Sequence, residues 1–375
     1  MSAPFVLAAG GTGGHVFPAE ALAGELLARG RSIHLLCDGR ADGFARRVPG
    51  VGVHHVRAGR LGGGPSQAVH GLAGLALGVV QARRLLRRLA PAGVIGFGGY
   101  PSVPTMLAAR YLGVPTIIHE QNAILGRANR LLVPQAQRIA TGFSSTAGLR
   151  PADSARAIYT GNPVRPAILA LADASYTAPE CGGPIELLIL GGSQGARVLG
   201  DIVPPAVTAL PAGLRGMLRI SQQVRPEDLA AVAGIYQRNG VAAELSSFFD
   251  DLPARLARAH LTICRAGAST VAELAALGRP AVLIPYPHAT DDHQTANARA
   301  FAEAGGGWLV PQSSLSPGMF SRRLEHLLAD NSALAAAAYR AGGFGRRDAT
   351  QRLARLVLDL DTGAARRAEL PGRAA

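Results

Sequence analysis

Residues 8–18 read AAGGTGGHVFP, with four glycines around one threonine and a histidine directly after them. Glycines let an anionic group approach bare backbone, and a helix N-terminus beyond them offers free N–H groups and a positive dipole end. An imidazole beside such a loop titrates near neutrality and can take a proton from a reacting hydroxyl. His15 is therefore a candidate general base; the alternatives are a helix-capping or a diphosphate-binding imidazole. Three further loops share the pattern: GFGGYPS at 96–102, GGSQGA at 191–196 and AGAST at 266–270. Any one of them alone reads equally as a tight turn that binds nothing.

Other polar groups stand where ligands bind. HEQN (119–122) follows the apolar run VPTII, so it belongs at the C-terminal end of a strand. In GASTVAE (267–273), Thr270 and Glu273 fit a T-x-x-E capping box, or the carboxylate accepts hydrogen bonds from ribose hydroxyls. Arg165, after Asn162-Pro163-Val164, is either a surface charge or a ligand contact. PYPHATDDHQTANA (285–298) is dense in groups that bind sugar hydroxyls. His288, Asp291, Asp292 and His293 lack the helical spacing of a zinc site, so no metal is expected there.

These residues need strands and helices to hold them. Short apolar runs at 4–9, 32–37, 93–97, 114–118, 185–190, 261–264 and 281–284 do not alternate, as in parallel strands buried on both faces. Helical patterns lie between them. One follows Pro18, taken as a first-turn proline, and ends at Gly30; another spans 269–277 and stops at Gly278 and Pro280. The alternation predicts a doubly wound α/β fold. LAAGGTGGH in the first half is echoed by LILGGSQGA in the second, which predicts two Rossmann-like domains in tandem. Their join falls near GNPVRP (161–166).

The bulk numbers agree with two domains: the chain has 375 residues and is 48% hydrophobic. The formal net charge is +13, carried wholly by arginine. Aromatic residues are only 5% and do not interleave with basic runs, so nucleic acid is not an expected partner, while anionic phosphates or an anionic membrane surface remain open as partners. Cys37, Cys181 and Cys264 are odd in number and far apart, which fits a reducing cytoplasm. The start reads as a core strand, not a signal peptide. AVHGLAGLALGVV (68–80) is too short to span a bilayer, so a soluble or peripheral protein is expected. QARRLLRRLA follows it. Arg83, Arg84, Arg87 and Arg88 could meet anionic headgroups while leucines dip into the interface, or this is a core helix with arginines at its C-terminal end.

A dinucleotide site is a rival reading of the first loop. Gly11 and Gly13 supply GxG and Asp38 ends the second strand, but Val16 occupies the third glycine position, and no GxxxxGK[ST] exists. A non-enzymatic nucleotide-sugar-binding or lipid-binding protein is a second rival.

Taken in order, GGTGGH, GGY, HEQN, GNPVR, GGSQGA, FxDD, GASTVAE and DDHQTANA resemble the MurG family, the undecaprenyldiphospho-muramoylpentapeptide β-N-acetylglucosaminyltransferases. The resemblance runs from about residue 5 to 310. It implies a GT-B glycosyltransferase of two Rossmann-like domains facing a cleft: 1–163 for the acceptor and the membrane, 164–340 for UDP-GlcNAc, a helix at 341–361 packing back on the first domain, and a tail at 362–375. It implies inverting transfer of GlcNAc from UDP-GlcNAc to lipid I, giving lipid II for peptidoglycan synthesis, without metal or cofactor. The location implied is peripheral, on the cytoplasmic face of the cell membrane, with cell-wall synthesis proteins as possible partners. Carried over by residue, Thr12, Gly13 and Gly14 reach the donor, and Asn122 and Gln294 contact the GlcNAc. Arg165 and Ser193 lie near the sugar–diphosphate region, and Phe249 packs by the uracil. Ala268, Ser269 and Thr270 contact the diphosphate, Glu273 holds the ribose, and His15 is the base. The chain departs from the family pattern at Phe249, where Ile is common, and at RAGAST, where RSGALT is common. A related GT-B enzyme with another acceptor is the nearest alternative.

Overall fold

The computed structural model describes residues 2–10, 13–39, 43–59, 65–192 and 196–368. It divides into two compact units: 1–164 with 348–375, and 165–347.

The first unit holds a seven-stranded sheet. Its strands are β1 (Phe5–Ala8), β2 (Ile33–Cys37), β3 (Gly52–His55), β4 (Gly93–Gly96), β5 (Thr116–Glu120), β6 (Arg138–Thr141) and β7 (Ala157–Tyr159), in the order β3-β2-β1-β4-β5-β6-β7. All neighbours are parallel. The strand FVLA shows why such runs are apolar throughout. Phe5 and Leu7 pack with Leu22 and Leu26 of the Gly13–Ala28 helix, whereas Val6 packs on the opposite face with Ala82, Leu86 and Met106. Helices cover both faces, so no position is left for a polar alternation.

The first core is finished by the far end of the chain. Leu353, Ala354, Leu356, Val357 and Leu360 of the Ala349–Ala368 helix join the Phe5–Leu7 cluster. Arg31 ties this helix down through Asp361 at 2.7 Å and stacks over the Phe5 ring. The preceding helix, Asn331–Phe344, belongs to the second unit.

The second unit holds six parallel strands: β8 (Ile185–Leu190), β9 (Leu218–Gln223), β10 (Ala242–Ser246), β11 (Leu261–Cys264), β12 (Ala281–Leu283) and β13 (Gly307–Leu309), in the order β10-β9-β8-β11-β12-β13. Ile185, Leu187 and Ile189 pack against Leu199, Val203, Phe320 and Leu324.

Both strand orders reverse once, at β1/β4 in the first sheet and at β8/β11 in the second. Open α/β sheets bind ligands beyond the carboxyl ends of the strands at such switch points. The GGTGGH and GFGGYPS loops leave β1 and β4, and the GGSQGA and AGAST loops leave β8 and β11. Each pair of glycine loops therefore flanks one switch point.

Candidate active site

In the first unit the helix after β1 begins at Gly13, so Pro18 lies inside it instead of opening it. The first-turn reading of Pro18 is corrected: the glycines themselves start the helix. Pro18 has no N–H for the carbonyl four residues back, and the helix tolerates that near its beginning. Gly13, Gly14 and His15 consequently form the first turn, where backbone N–H groups lack intrahelical partners. Thr12 lies outside the described residues.

His15 is held by a partner far away in sequence. Its Nδ1 lies 3.0 Å from Oε1 of Gln121. Gln121 Nε2 in turn lies 3.0 Å from His119 Nδ1 and 3.0 Å from the His119 carbonyl. His119 Nε2 faces the carbonyl of Gly161 at 3.3 Å. Asn162 donates to the Gln121 carbonyl at 2.8 Å. His119 and Gln121 are fully buried, and burial pushes the His119 imidazole down to about 4, so it is neutral at physiological pH. Gly99, at φ +70° and ψ 157°, passes close to the His15 ring: a Cβ there would lie 3.3 Å from His15 Cδ2.

HEQN stands at the C-terminal end of a strand, as its sequence predicts: His119 and Glu120 are the last residues of β5, and Gln121 and Asn122 follow it. Glu120 is buried and organises the turn. It accepts from the Asn122 backbone N–H at 2.9 Å and side-chain amide at 3.1 Å, the Gly126 N–H at 2.9 Å and the Asn129 amide at 2.8 Å. Asn122, the motif's expected sugar contact, is oriented by this carboxylate. Of His119, Glu120, Gln121 and Asn122, the motif points to Asn122 alone as a ligand contact. The polar types were visible, but the bond to His15 spans 106 positions of chain.

In the second unit, the helix at the β11 switch point runs Ala268–Leu277, with Gly267 as its N-cap and no side-chain capping bond. The capping-box reading of Thr270 and Glu273 is thus corrected: Thr270 lies inside the first turn, and Glu273 faces Arg165. The guanidinium donates from Nε to Oε1 at 2.6 Å and from Nη2 to Oε2 at 2.9 Å. Ala268, Ser269 and Thr270 provide the N-terminal turn of this helix, and the buried Ser269 hydroxyl has no protein partner among the described residues. Gly278 closes the helix in the left-handed conformation at φ +61°. Ser193 lies outside the described residues.

Gln294 begins the second position of the His293–Glu303 helix and accepts from the Tyr286 N–H at 2.9 Å through Oε1. That bond turns its amide NH₂ away from the Tyr286 backbone. Phe249 is buried under Arg255, whose guanidinium carbon sits 4.2 Å from the ring centroid and is held by Asp251 and Glu244. The ring is therefore packed inward, and the exposed aromatic of the pair is Phe248. Among the described residues no group of three His, Cys, Asp or Glu side chains is placed to hold a metal ion.

Two parallel-sheet α/β units, each with glycine loops and a helix N-terminus at its switch point, are the build of a two-domain nucleotide-sugar glycosyltransferase. Residues 5–141 match the N-terminal domain of glycosyltransferase family 28 and residues 186–353 its C-terminal domain. The chain is 55% identical over 356 residues to a Rhodospirillum centenum protein, covering 95% of this chain and 94% of that one. It is 53% identical over 355 residues to a Paramagnetospirillum magneticum protein, covering 94% and 96%. Both carry the name UDP-N-acetylglucosamine–N-acetylmuramyl-(pentapeptide) pyrophosphoryl-undecaprenol N-acetylglucosamine transferase. The crystal structure of Acinetobacter baumannii MurG matches with a TM-score of 0.78 and 29% identity, covering 95% of this chain and 99% of that chain. The chain belongs to this family of UDP-GlcNAc-dependent, GT-B-fold glycosyltransferases.

Proposed function

We propose that this chain transfers GlcNAc from UDP-GlcNAc to the undecaprenyl-pyrophosphoryl-MurNAc-pentapeptide, lipid I, with inversion at the anomeric carbon, to give lipid II for peptidoglycan synthesis. The observation that carries this is identity of 55% along nearly the whole of both chains to a transferase named for that reaction.

In the reaction the acceptor oxygen bonds to C1 of GlcNAc as the bond from C1 to the UDP oxygen breaks. The bonding electrons leave with UDP, and the hydroxyl proton passes to the imidazole of His15. The first turn of the Ala268–Leu277 helix offers backbone N–H groups, a Ser269 hydroxyl with no partner among the described residues, and a positive dipole end to the leaving diphosphate. This leaving-group stabilisation supports a reaction that needs no metal. Glu273, oriented by Arg165, accepts from the ribose hydroxyls. Asn122 and Gln294 are the contacts to the sugar, Gly13 and Gly14 approach the donor, and Phe249 contributes beside the uracil through its backbone. Thr12 and Ser193 keep the donor roles that the family motif implies.

We also propose that the Pro65–Leu89 helix rests on the cytoplasmic face of the membrane. One side of it packs through Ala82 and Leu86 into the first unit, while Leu72, Leu77 and Val80 are exposed. Arg83, Arg84, Arg87 and Arg88 are exposed along the same helix. Exposed leucines beside arginines suit an anionic lipid surface. No described helix is long and apolar enough to cross a membrane.

Incubation with labelled UDP-GlcNAc and a lipid I analogue tests the reaction. Label is expected in the lipid; label in a different acceptor only would overturn the assignment.

A further inference from the structure

The geometry points to His119 and Gln121 as positioning residues that fix the tautomer of His15, leaving its Nε2 as the bare, proton-accepting nitrogen. This rests on the reading of His15 as the base and deepens it.

The polarity of the whole chain of hydrogen bonds follows from two backbone carbonyls, which can only accept. Gly161 O faces His119 Nε2 at 3.3 Å, so that nitrogen carries a hydrogen. His119 is buried and neutral, so its Nδ1 is then a lone pair. A lone pair needs a donor, and Gln121 Nε2 stands 3.0 Å away. The His119 carbonyl fixes the same amide independently: it lies 3.0 Å from Gln121 Nε2, which must again be the NH₂ end. Gln121 therefore presents Oε1 to His15, and Oε1 can only accept. His15 Nδ1 must donate to it. A neutral His15 has one ring hydrogen, and with that hydrogen on Nδ1 the lone pair is on Nε2. Each link has a single solution, which removes the usual ambiguity of amide flips and imidazole tautomers.

The consequence is kinetic. A free imidazole in water populates both tautomers, and only one has a basic nitrogen on the side away from Gln121. The buried relay keeps His15 in the form that can receive a proton there. It also disfavours loss of the Nδ1 proton, because Gln121 Oε1 would then face a lone pair.

The tautomer is read directly by long-range ¹H–¹⁵N correlation spectra of the ¹⁵N-histidine-labelled protein near pH 8. The His15 signals are assigned by their loss in His15→Ala. A protonated Nδ1 and a bare Nε2 are expected; the reverse would overturn the inference. In Gln121→Leu the His15 signals should shift toward the Nε2–H form, and kcat should fall roughly tenfold to a hundredfold with KM for UDP-GlcNAc little changed. Gln121→Glu restores an acceptor opposite Nδ1. It should recover much of kcat and move the acidic limb of the kcat–pH profile upward, because a carboxylate stabilises the imidazolium. Wild-type kcat and an unchanged tautomer in Gln121→Leu would sink the relay while leaving His15 as base. Normal turnover in His15→Ala would instead remove the base role, and the spectra would still decide the tautomer.

Discussion

Arg165 and Glu273 form a two-bond ion pair, Nε to Oε1 at 2.6 Å and Nη2 to Oε2 at 2.9 Å, across 108 positions of sequence. The carboxylate is nearly buried and the guanidinium partly so, with side-chain exposures of 9% and 30%. A paired, planar guanidinium holds the carboxylate in one orientation, which suits a group that must receive two neighbouring ribose hydroxyls. Arg165→Ala should therefore raise KM for UDP-GlcNAc by roughly tenfold, about 1.4 kcal/mol, with a smaller effect on kcat. Titration calorimetry with UDP checks the binding part; unchanged UDP affinity would separate the pair from the donor site.

His15→Ala should lose on the order of 10²-fold or more in turnover, the scale of a missing general base. Affinity for UDP should stay near wild type, since the proton transfer is not part of nucleotide binding. Addition of EDTA should leave the wild-type rate intact; its abolition would contradict leaving-group stabilisation by the Ala268–Leu277 helix alone.

Gly99→Ala tests how the imidazole is seated. The backbone there, at φ +70° and ψ 157°, is a region nearly restricted to glycine, and the added methyl would approach His15 Cδ2 at 3.3 Å. A stability loss of about 1–3 kcal/mol is expected, with a drop in kcat. A Gly99→Ala protein with unchanged melting temperature and rate would show that the loop readily adopts another path.

Acid should destabilise the fold through His119. Its folded-state value is depressed to about 4 from 6.5, so below pH 6.5 the unfolded chain gains a proton that the buried imidazole refuses. The stability this group contributes is complete above about pH 6.5 and falls as pH drops toward 4, by on the order of 3 kcal/mol. His34, His54 and His260 are depressed in the same direction by burial. Urea unfolding of wild type and His119→Gln at pH 7 and pH 4.5 isolates the His119 share: the loss between the two pH values should be smaller in the variant.

Leu72→Ser with Leu77→Ser, and separately Arg83→Glu with Arg84→Glu, should each weaken co-sedimentation with anionic vesicles. The charge change should act only at low salt, at about 1 kcal/mol per arginine near the surface. Binding that ignores lipid charge and salt would count against the membrane face.

The strands legible in the sequence were those with apolar residues on both faces, such as IELLIL and LTIC. LRISQQ was not, because β9 buries polar groups: Gln222 is fully buried and accepts from the Tyr236 hydroxyl at 2.6 Å. AAELS was not, because β10 lies at a sheet edge and is only partly covered. The motif positions were legible as residue types, but their partnerships were not. Nothing local distinguishes Glu273 as a capping residue from Glu273 as a partner of Arg165. Likewise, HEQN shows a glutamine without showing that it lies between two histidines.

The five side chains that the last helix adds to the first core have a consequence for synthesis. A ribosome that has made residues 1–164 has not yet made Leu353, Ala354, Leu356, Val357 or Leu360. Residues 165–347, by contrast, form an uninterrupted stretch that emerges whole. Domains usually complete themselves in the order in which they leave the ribosome. Here the order is inverted: the nascent first domain waits with one flank of Phe5 and Leu7 uncovered while the second is translated and folds, and arrival of the Ala349–Ala368 helix is what seals it.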